Sequence, residues 1–468
     1  MSGVRARILA MKLGNSSGAK AGQEGGYEKT MSKEQQPALV FEETKQVGEI
    51  RSRWPWVEPS IWTDRMLTAL EEGVKGGKWF SLLDKAFSVK SLRAAFIKVK
   101  ANQGSPGIDG WTIERFEKNL EEILPLLSED LLSGTYRPQA IKRVWIPKPG
   151  SNEKRPLGIP TVRDRVAQAA LRACLEPIFE KEFCDGSFGF RPGRSCHKAL
   201  SRIWRSLEKG EVYVVDADLK RCFDTIPHEL IMLGLEEKIS DGKVLSLVQA
   251  FLDQKVMDGL DELETSEGTP QGSVISPLLA NIALHRLDLL AEKLGHQLVR
   301  YADDFVILCE DGNEASSALA AVKDWTEKNG LTLHPDKTRI LDYGAGESFD
   351  FLGYTFRQGS VFPRKKSLKN FRDKIRDKTP RNSGKSLVAI IEELNPILRG
   401  WHGYFKASKA YVFSSEDSFV RGRLRALLAR RNGKYVWLRA ASSKRWPNTY
   451  FEKQGLISMK VLAQRRSS

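Results

Sequence analysis

Cysteine is scarce. The chain has five in 468 residues, Cys174, Cys184, Cys196, Cys222 and Cys309, and no C-x-x-C pair. That excludes a zinc ribbon and a disulfide framework and points to a reducing compartment. Cys184, Cys196 and His197 have ligand chemistry, but they read better as unrelated core residues. No run of about 18 apolar residues occurs, so no transmembrane helix and no membrane partner are expected. No internal repeat or low-complexity tract interrupts residues 60–360. Acid is scarce at one end only. Residues 357–468 hold 7 Asp/Glu against 27 Lys/Arg, a net of +20, while the whole chain carries +15. Residues 1–356 are therefore about −5. Such asymmetry marks a module that binds a polyanion, most often nucleic acid.

What is present reads as globular. With 41% hydrophobic and 28% charged residues, the chain has room for two to four domains and a large core. Residues 1–53 are polar and aperiodic, and read as a disordered arm. Arg5, Arg7, Lys12 and Lys20 precede the first acid, Glu24. That weakly suggests an organellar transit peptide, but a bacterial tail or a start at Met31 is the better fit. The location expected is a bacterial cytoplasm, with an organelle as the alternative.

Trp54, Trp56 and Trp62 mark the start of folded material. Helices are expected from Trp79 to about Ser133, on apolar spacings such as Leu92, Phe96 and Val99. Gly104–Gly110 interrupts them as a tight loop. Val144–Ile146 and Arg155–Pro160 read as two extended pieces joined by a turn at 147–152. Thr161 is placed to cap a helix running to about Glu182. Val212–Leu219 reads as a buried strand ending in acids. Helices follow near Pro227 and over Val244–Leu252, Ile275–Leu294 and Glu314–Asn329. A loop over Gly268–Ser273 precedes the third of these. Strands are expected at Leu331–Leu333 and Ile340–Tyr343. From Arg364 onward the pattern is helical patches and short loops.

The chain is organised around Tyr301-Ala302-Asp303-Asp304. Phe305–Cys309 is an apolar, β-branched run of strand length, so two adjacent Asp sit where two half-strands meet. Adjacent carboxylates repel, and a nearby cation relieves the repulsion. Hard divalent ions such as Mg²⁺ take oxygen ligands from one or two carboxylates and from substrate phosphates. A solvated Asp-Asp turn is the competing reading. Asp218 closes its own strand about eighty residues earlier. Two strands bringing three carboxylates together suit two-metal phosphoryl transfer, where catalysis is positioning plus charge neutralisation. Side chains alternate along a strand, so Asp216 shares a face with Asp218, and spacing alone leaves Asp216 open as a ligand.

A series of blocks then appears in order: Gly104-Ser-Pro-Gly-Ile-Asp-Gly110, Lys154-Arg-Pro-Leu-Gly-Ile-Pro160, Phe188-Gly-Phe-Arg-Pro-Gly-Arg-Ser195, Asp218-Leu-Lys-Arg-Cys-Phe-Asp224, Gly268-Thr-Pro-Gln-Gly272, Tyr301–Asp304, Gly330–Thr338 and Phe351-Leu-Gly-Tyr354. This series resembles the ordered blocks of group II intron reverse transcriptases. Leu398-Arg-Gly-Trp-His-Gly-Tyr-Phe405 is similar to their maturase-specific X domain. The resemblance covers roughly residues 80–450.

It implies an α+β right-hand polymerase: fingers 54–200, palm 201–360 with an antiparallel sheet, and a helical thumb/X domain 361–468. Asp218, Asp303 and Asp304 match the family's catalytic carboxylates. They would hold two Mg²⁺ ions, with Mn²⁺ as the alternative, and Leu219 is grouped with them as a metal and nucleotide contact. Phe223 matches the position beneath the incoming sugar, where a bulky ring would reject a ribose 2′-OH; the competing reading is a core aromatic. Gln271 and Gly272 match the loop that packs on the nucleotide. Lys148 and Arg155 resemble the fingers cations that meet the triphosphate, a role suited to charge-assisted pairing. Lys337 matches a palm lysine near the phosphates. For these three cations a solvated or salt-bridged surface role competes.

The partners implied are intron RNA, an RNA template with a DNA primer, and dNTPs; a homodimer is allowed. The activity implied is reverse transcription of the intron together with help in splicing it. A splicing-only maturase, or a polymerase recruited to a retron-like, diversity-generating or CRISPR-linked role, is the alternative. Neither a DNA-binding stretch nor a Cys-rich HNH module follows the X-like block. Cleavage of a target in cis is therefore not expected, and a pre-existing 3′ end would serve as primer.

In the basic module, Arg421–Lys434 carries six Lys/Arg and no acid, with Leu424, Leu427 and Leu428 as an apolar stripe. Arg421, Arg425, Arg430 and Arg431 are the candidates for RNA phosphate contact. Trp401, Tyr404 and Phe405 read first as core and second as a stacking surface for an unpaired base.

Overall fold

Among the described residues, the strands are β1 Ile141–Pro147, β2 Lys154–Ile159, β3 Tyr213–Asp218, β4 Val256–Asp258, β5 Asp261–Leu263, β6 Gln297–Tyr301, β7 Asp304–Cys309, β8 Arg339–Asp342, β9 Phe349–Phe351, β10 Tyr354–Arg357 and β11 Ser360–Pro363. This computed structural model describes residues 50–147, 154–357, 359–431 and 439–465. Arg53–Ser468 form one compact unit; of Met1–Ser52, residues 50–52 are described, in a helical turn. The arm expected over 1–53 thus lies almost wholly outside the described residues, and so does Lys148.

The central sheet has the order β6-β7-β3-β8, and every pairing in it is antiparallel. Its two middle strands are nearly uninterrupted apolar runs: Val214, Val215 and Ala217 on β3, and Phe305 to Cys309 on β7, are all buried. Such runs need cover on both faces. The Gly312–Lys328 helix packs on β3, β7 and β8 through a stripe that includes Ala315, Ala318 and Val322. Beside β6, the Ser276–Lys293 helix is buried nearly all round.

A second sheet has the order β2-β1-β4-β5. β1 and β2 form the expected antiparallel pair, and β4 runs parallel to β1, with Ile141 opposite Val256. The Val162–Glu182 helix begins where Thr161 was expected to cap it, its hydroxyl accepting from the Asp164 amide at 3.1 Å. This helix is buried along most of its length, including Gln168. The third sheet, β11-β10-β9, joins the central sheet to the C-terminal helices.

Those helices are Lys365–Lys378, Leu387–Tyr404, Ala410–Arg431 and shorter ones after them. Trp401 stacks on Phe371, with ring centroids 4.5 Å apart, and also meets Phe405 and Phe413. The first reading of Trp401, Tyr404 and Phe405, as core, is the one observed. Leu424, Leu427 and Leu428 are buried as the apolar stripe required. Two acids are buried in this basic module, and both serve the fold. Glu416 accepts twice from Arg372, at 2.6 and 2.9 Å. Asp417 accepts from the Met459 amide at 3.0 Å and the Lys460 amide at 3.1 Å, capping the Met459–Gln464 helix.

One local expectation changes. Leu331–Leu333 is not a strand but a single bridge from Leu333 to Leu219. Its hydrogen bonds run past the end of β3, from the Lys220 amide to the Thr332 carbonyl and from the His334 amide to the Asp218 carbonyl, each 2.8 Å. β11 runs over Ser360–Pro363, next to β10 at the edge of its sheet.

Candidate active site

The register of the central sheet sets the site. Asp218, the last residue of β3, lies directly opposite Asp304, the first of β7. Tyr301 pairs with Asp304 across β6 and β7, leaving Ala302 and Asp303 as a two-residue turn. Ala302 sits in the left-handed region at φ 61°, a conformation that tight hairpins demand and alanine rarely adopts. All three expected carboxylates therefore come to one end of the sheet. Asp216, left open by spacing, faces a cation of its own: Arg339 Nε lies 3.5 Å from its Oδ2. Burial pushes Asp216 up to about 6 against the pull of Arg339.

Charge at this sheet end is unbalanced. Burial, reinforced by Asp218, Asp216 and Asp303, pushes the Asp304 carboxyl up to about 7. Burial also raises Asp303, with Asp218 adding to it and its own amide and Lys337 opposing. Lys337 donates to Asp218 Oδ2. One ammonium beside three carboxylates leaves a deficit of positive charge, and clustered hard oxygen donors are the ligand set that Mg²⁺ or Mn²⁺ takes. The residues present fit divalent cations. Leu219 has an aliphatic side chain, buried at 2% exposure, so only its backbone could serve an ion.

The turn is held from behind by Arg300, whose side chain is fully buried. Its guanidinium donates to both oxygens of the buried Asp288, at 2.7 and 2.5 Å. It also donates to Asn281 Oδ1 at 3.0 Å, to Ser187 Oγ at 2.9 Å and to the Ala302 carbonyl at 3.0 Å. Asn281 in turn donates to the Gly189 carbonyl at 2.8 Å. Gly189 has to be glycine, because a Cβ there would lie 2.3 Å from the Ala302 nitrogen.

In front of the carboxylates is a cavity of about 960 Å³. Asp218, Asp303, Leu219, Phe223, Gln271, Gly272, Arg155 and Lys337 all line it. Lys148 lies outside the described residues, and Asp304 is not among the lining residues. The loop Gly268–Ser273 is pinned from three sides. The Gly158 amide of β2 donates to the Gln271 carbonyl at 2.6 Å, and the Thr269 amide donates to the Phe223 carbonyl at 2.6 Å. The buried Gln168 accepts from Ser273 Oγ at 2.7 Å and from the Val274 amide at 2.9 Å. Gly272, at φ 111°, lies so close to the Gly158 carbonyl that a Cβ would meet it at 2.3 Å. Gln271 donates to Asp224 Oδ1 at 3.2 Å.

Several lining residues escaped the sequence reading: Trp145, Lys154, Phe190, Lys220, Arg221 and His334. All but Trp145 were within reach, since Phe190, Lys154, Lys220, Arg221 and His334 each lie inside one of the ordered blocks. Trp145 is on β1, and periodicity does not encode its arrival at the cavity. The four C-terminal arginines are not brought to this cavity. Arg425 donates to the Trp446 carbonyl at 2.9 Å and to Asn448 Oδ1 at 2.8 Å, and Arg431 donates to the carbonyls of Ser383 and Lys385. Arg421 donates to Ser418 Oγ at 3.3 Å, and Arg430 is exposed.

Residues 146–356 match the family described as Reverse transcriptase (RNA-dependent DNA polymerase), and residues 368–446 match Group II intron, maturase-specific domain. Group II intron-encoded protein LtrA of Lactococcus lactis subsp. cremoris is 42% identical over 196 residues, covering 42% of this chain and 32% of LtrA. The alignment thus spans about a third of LtrA's own length. Protein YkfC of Escherichia coli (strain K12) is 31% identical over 381 residues, covering 72% of this chain and 94% of YkfC. Among solved structures, a telomerase from Candida albicans aligns over 72% of this chain and 67% of its own, with 13% identity and a TM-score of 0.40.

Two outcomes follow from the buried charges. Arg300→Met leaves Asp288 buried and unpaired, so urea unfolding should show a loss of about 3–5 kcal/mol. The double change Arg300→Met, Asp288→Leu should recover part of that loss. The second outcome concerns Asp304. Its folded pKa, about 7, lies above the unfolded carboxylate value of about 4. Its contribution therefore favours the fold below pH about 4 and is lost as pH rises through 7. In EDTA, Asp304→Asn should be more stable than the parent at pH 8, with the gain vanishing near pH 4. A gain independent of pH would refute the assigned cause.

Proposed function

Because this chain belongs to the family of reverse transcriptases that carry a group II intron maturase domain, we propose that it copies an intron RNA into DNA and assists the splicing of that RNA. Its fold is the right-hand polymerase of that family. The observation that carries the reading is the register placing Asp218 opposite Asp304, with Asp303 in the turn beside them, at the base of a cavity lined by Phe223, Gln271 and cations.

Residues 54–200 act as fingers, 201–360 as palm and 361–468 as thumb and X domain. Asp218, Asp303 and Asp304, with the Leu219 backbone, would hold two Mg²⁺ ions. When bound, these ions supply charge neutralisation at the attacking 3′-oxygen and at the departing pyrophosphate. Lys337, already an ion-pair donor to Asp218, stands where it can also meet a phosphate. Arg155 on β2 offers a planar fork to the triphosphate, and Lys148 is assigned the same partner. The pinned Gly268–Ser273 loop gives Gln271 a fixed position, so binding spends little on ordering it. Phe223 fills the space a ribose 2′-OH would need.

The C-terminal module, with its net charge of +20, takes the intron RNA. Three of the four arginines assigned to RNA already donate within the module, Arg421 by one long bond to Ser418 Oγ at 3.3 Å, which leaves Arg421 and Arg430 as the stronger phosphate contacts. No helix among the described residues is long and apolar enough to cross a membrane. The setting proposed is a bacterial cytoplasm.

Primer extension on an RNA template with dNTPs and Mg²⁺, run beside splicing of a group II intron RNA, tests both halves. Asp304→Ala should cut DNA synthesis by about 10³-fold or more, on the order of 4 kcal/mol of transition-state stabilisation. Splicing help should persist, because RNA binding rests on the basic surface. Loss of both activities in a folded, RNA-binding variant would count against that separation. Phe223→Val should admit rNTPs detectably better, and unchanged discrimination would remove its steric role. Neutralising Arg421 and Arg430 should flatten the log–log salt dependence of RNA binding by about 1.5, if each meets one phosphate. Equal slopes for parent and variant would move the RNA surface elsewhere.

A further inference from the structure

Phe190 is an anomaly by both burial and backbone. Its ring is 47% exposed, although apolar rings of that size stabilise a fold chiefly when covered. Its φ is 58°, in the left-handed region that side-chain-bearing residues other than Asn and Asp seldom occupy. Such strain persists only where the surroundings over-determine it, and here they do. On its N-terminal side, Gly189 lies against the Ala302 nitrogen with no room for a Cβ, and its carbonyl is held by Asn281. One residue further back, the Phe188 amide donates to the Arg300 carbonyl at 2.8 Å. The chain is thus fastened to the back of the Asp303–Asp304 turn, and the ring is thrust forward into the cavity.

There it meets two other rings. Phe223 stands edge-on to it, with centroids 6.3 Å apart and planes at 88°. Tyr301 lies at 6.4 Å and 45°. Phe223 is itself only half-buried, on the short helix Cys222–Thr225. An aromatic side chain so placed can swing about its χ angles unless something blocks it. Phe190 is the ring that stands against it.

We propose that Phe190 is a specificity-determining residue for the sugar of the incoming nucleotide. It holds the Phe223 ring in the plane that excludes a 2′-OH, and its own exposed face is covered by that sugar when a nucleotide is bound. This assignment rests on the polymerase reading above. It ties two properties through one backbone segment: the position of the carboxylate turn and the choice of sugar.

The test is single-nucleotide extension on an RNA template, measuring kcat/KM for a dNTP and for the matching rNTP. The proteins compared are the parent, F190A, F190L, F190Y, F223A and the F190A/F223A double variant. F190A should lower the dNTP/rNTP ratio about 10-fold, and F190L, which loses the ring plane but keeps most of the volume, should lower it as well. F190L also serves if F190A does not fold. The ring-conserving F190Y should keep the parental ratio. Since Phe190 acts through Phe223, the double variant should discriminate no worse than F223A alone.

A fall in both rates with an unchanged ratio would mean that Phe190 is structural only, and would overturn the proposal. So would effects that multiply in the double variant, because they would make Phe190 independent of Phe223. A parent protein without template-directed synthesis would overturn the polymerase reading, and the proposal with it. A parent that discriminates, beside an F190A that discriminates equally, overturns the proposal alone.

Discussion

A guanidinium with no access to water governs the placement of the candidate active site. Arg300 carries a full charge that cannot be neutralised, and leaving it uncompensated in the interior would cost several kcal/mol. Its donors are satisfied only if three separate segments arrive together: the Ser276–Lys293 helix with Asp288 and Asn281, the Ser187–Phe190 stretch, and the carbonyl of Ala302. Such a network is valuable for uniqueness more than for net stability. Any arrangement that misplaces the turn strands a charge. The carboxylates of Asp303 and Asp304 are thus located by a residue that never reaches the cavity.

The electrostatics on the two sides of the sheet are opposite in kind. Behind the turn every charge is matched, Arg300 with Asp288. In front, Lys337 pairs with Asp218 and draws on Asp303, Arg364 draws on Asp304, and burial still holds Asp303 and Asp304 in a state that resists ionisation. The first arrangement is rigid and closed. The second is unbalanced by itself, a cluster of hard oxygen donors that fits divalent cations. A similar division runs through the C-terminal module. Its acids Glu416 and Asp417 are buried in the service of helix packing and capping, which leaves its surplus of basic groups at the surface.

Much of this was legible in the chain, for physical reasons. The hairpin at Tyr301–Asp304 announced itself because an apolar β-branched run cannot stay in water and two Asp cannot sit inside it. Thr161 was legible as a cap because its hydroxyl competes for a free amide whatever the tertiary context. The ordered blocks located the cavity residues well, from Arg155 to Lys337. What escaped depends on contacts between distant segments. The pairing of β4 with β1 is short and parallel, so neither strand advertises it. Gln168 belongs to none of the quoted blocks, yet it is the buried acceptor that fixes the Gly268–Ser273 loop. Arg425 read as a phosphate contact because its charge was visible and its acceptors, near Trp446, were not. Leu331–Leu333 had strand composition, but β3 had already ended where those residues came alongside.

The strand order of the central sheet also has a consequence for synthesis. β3 lies between β7 and β8, so both of its edges remain open until partners well over eighty residues downstream have been made. At ribosomal rates of about 5–20 residues per second, that interval is on the order of 10 s. During it, a buried-type strand with two unpaired rows of amides and carbonyls has no native partner, which is the condition that favours aggregation of nascent chains. The aspartates at its end, Asp216 and Asp218, place charge on the segment over those seconds, before any chemistry is asked of them. Asp218 thus has a use in the nascent chain as well as in the carboxylate cluster, as charge of the gatekeeper kind that limits misassembly.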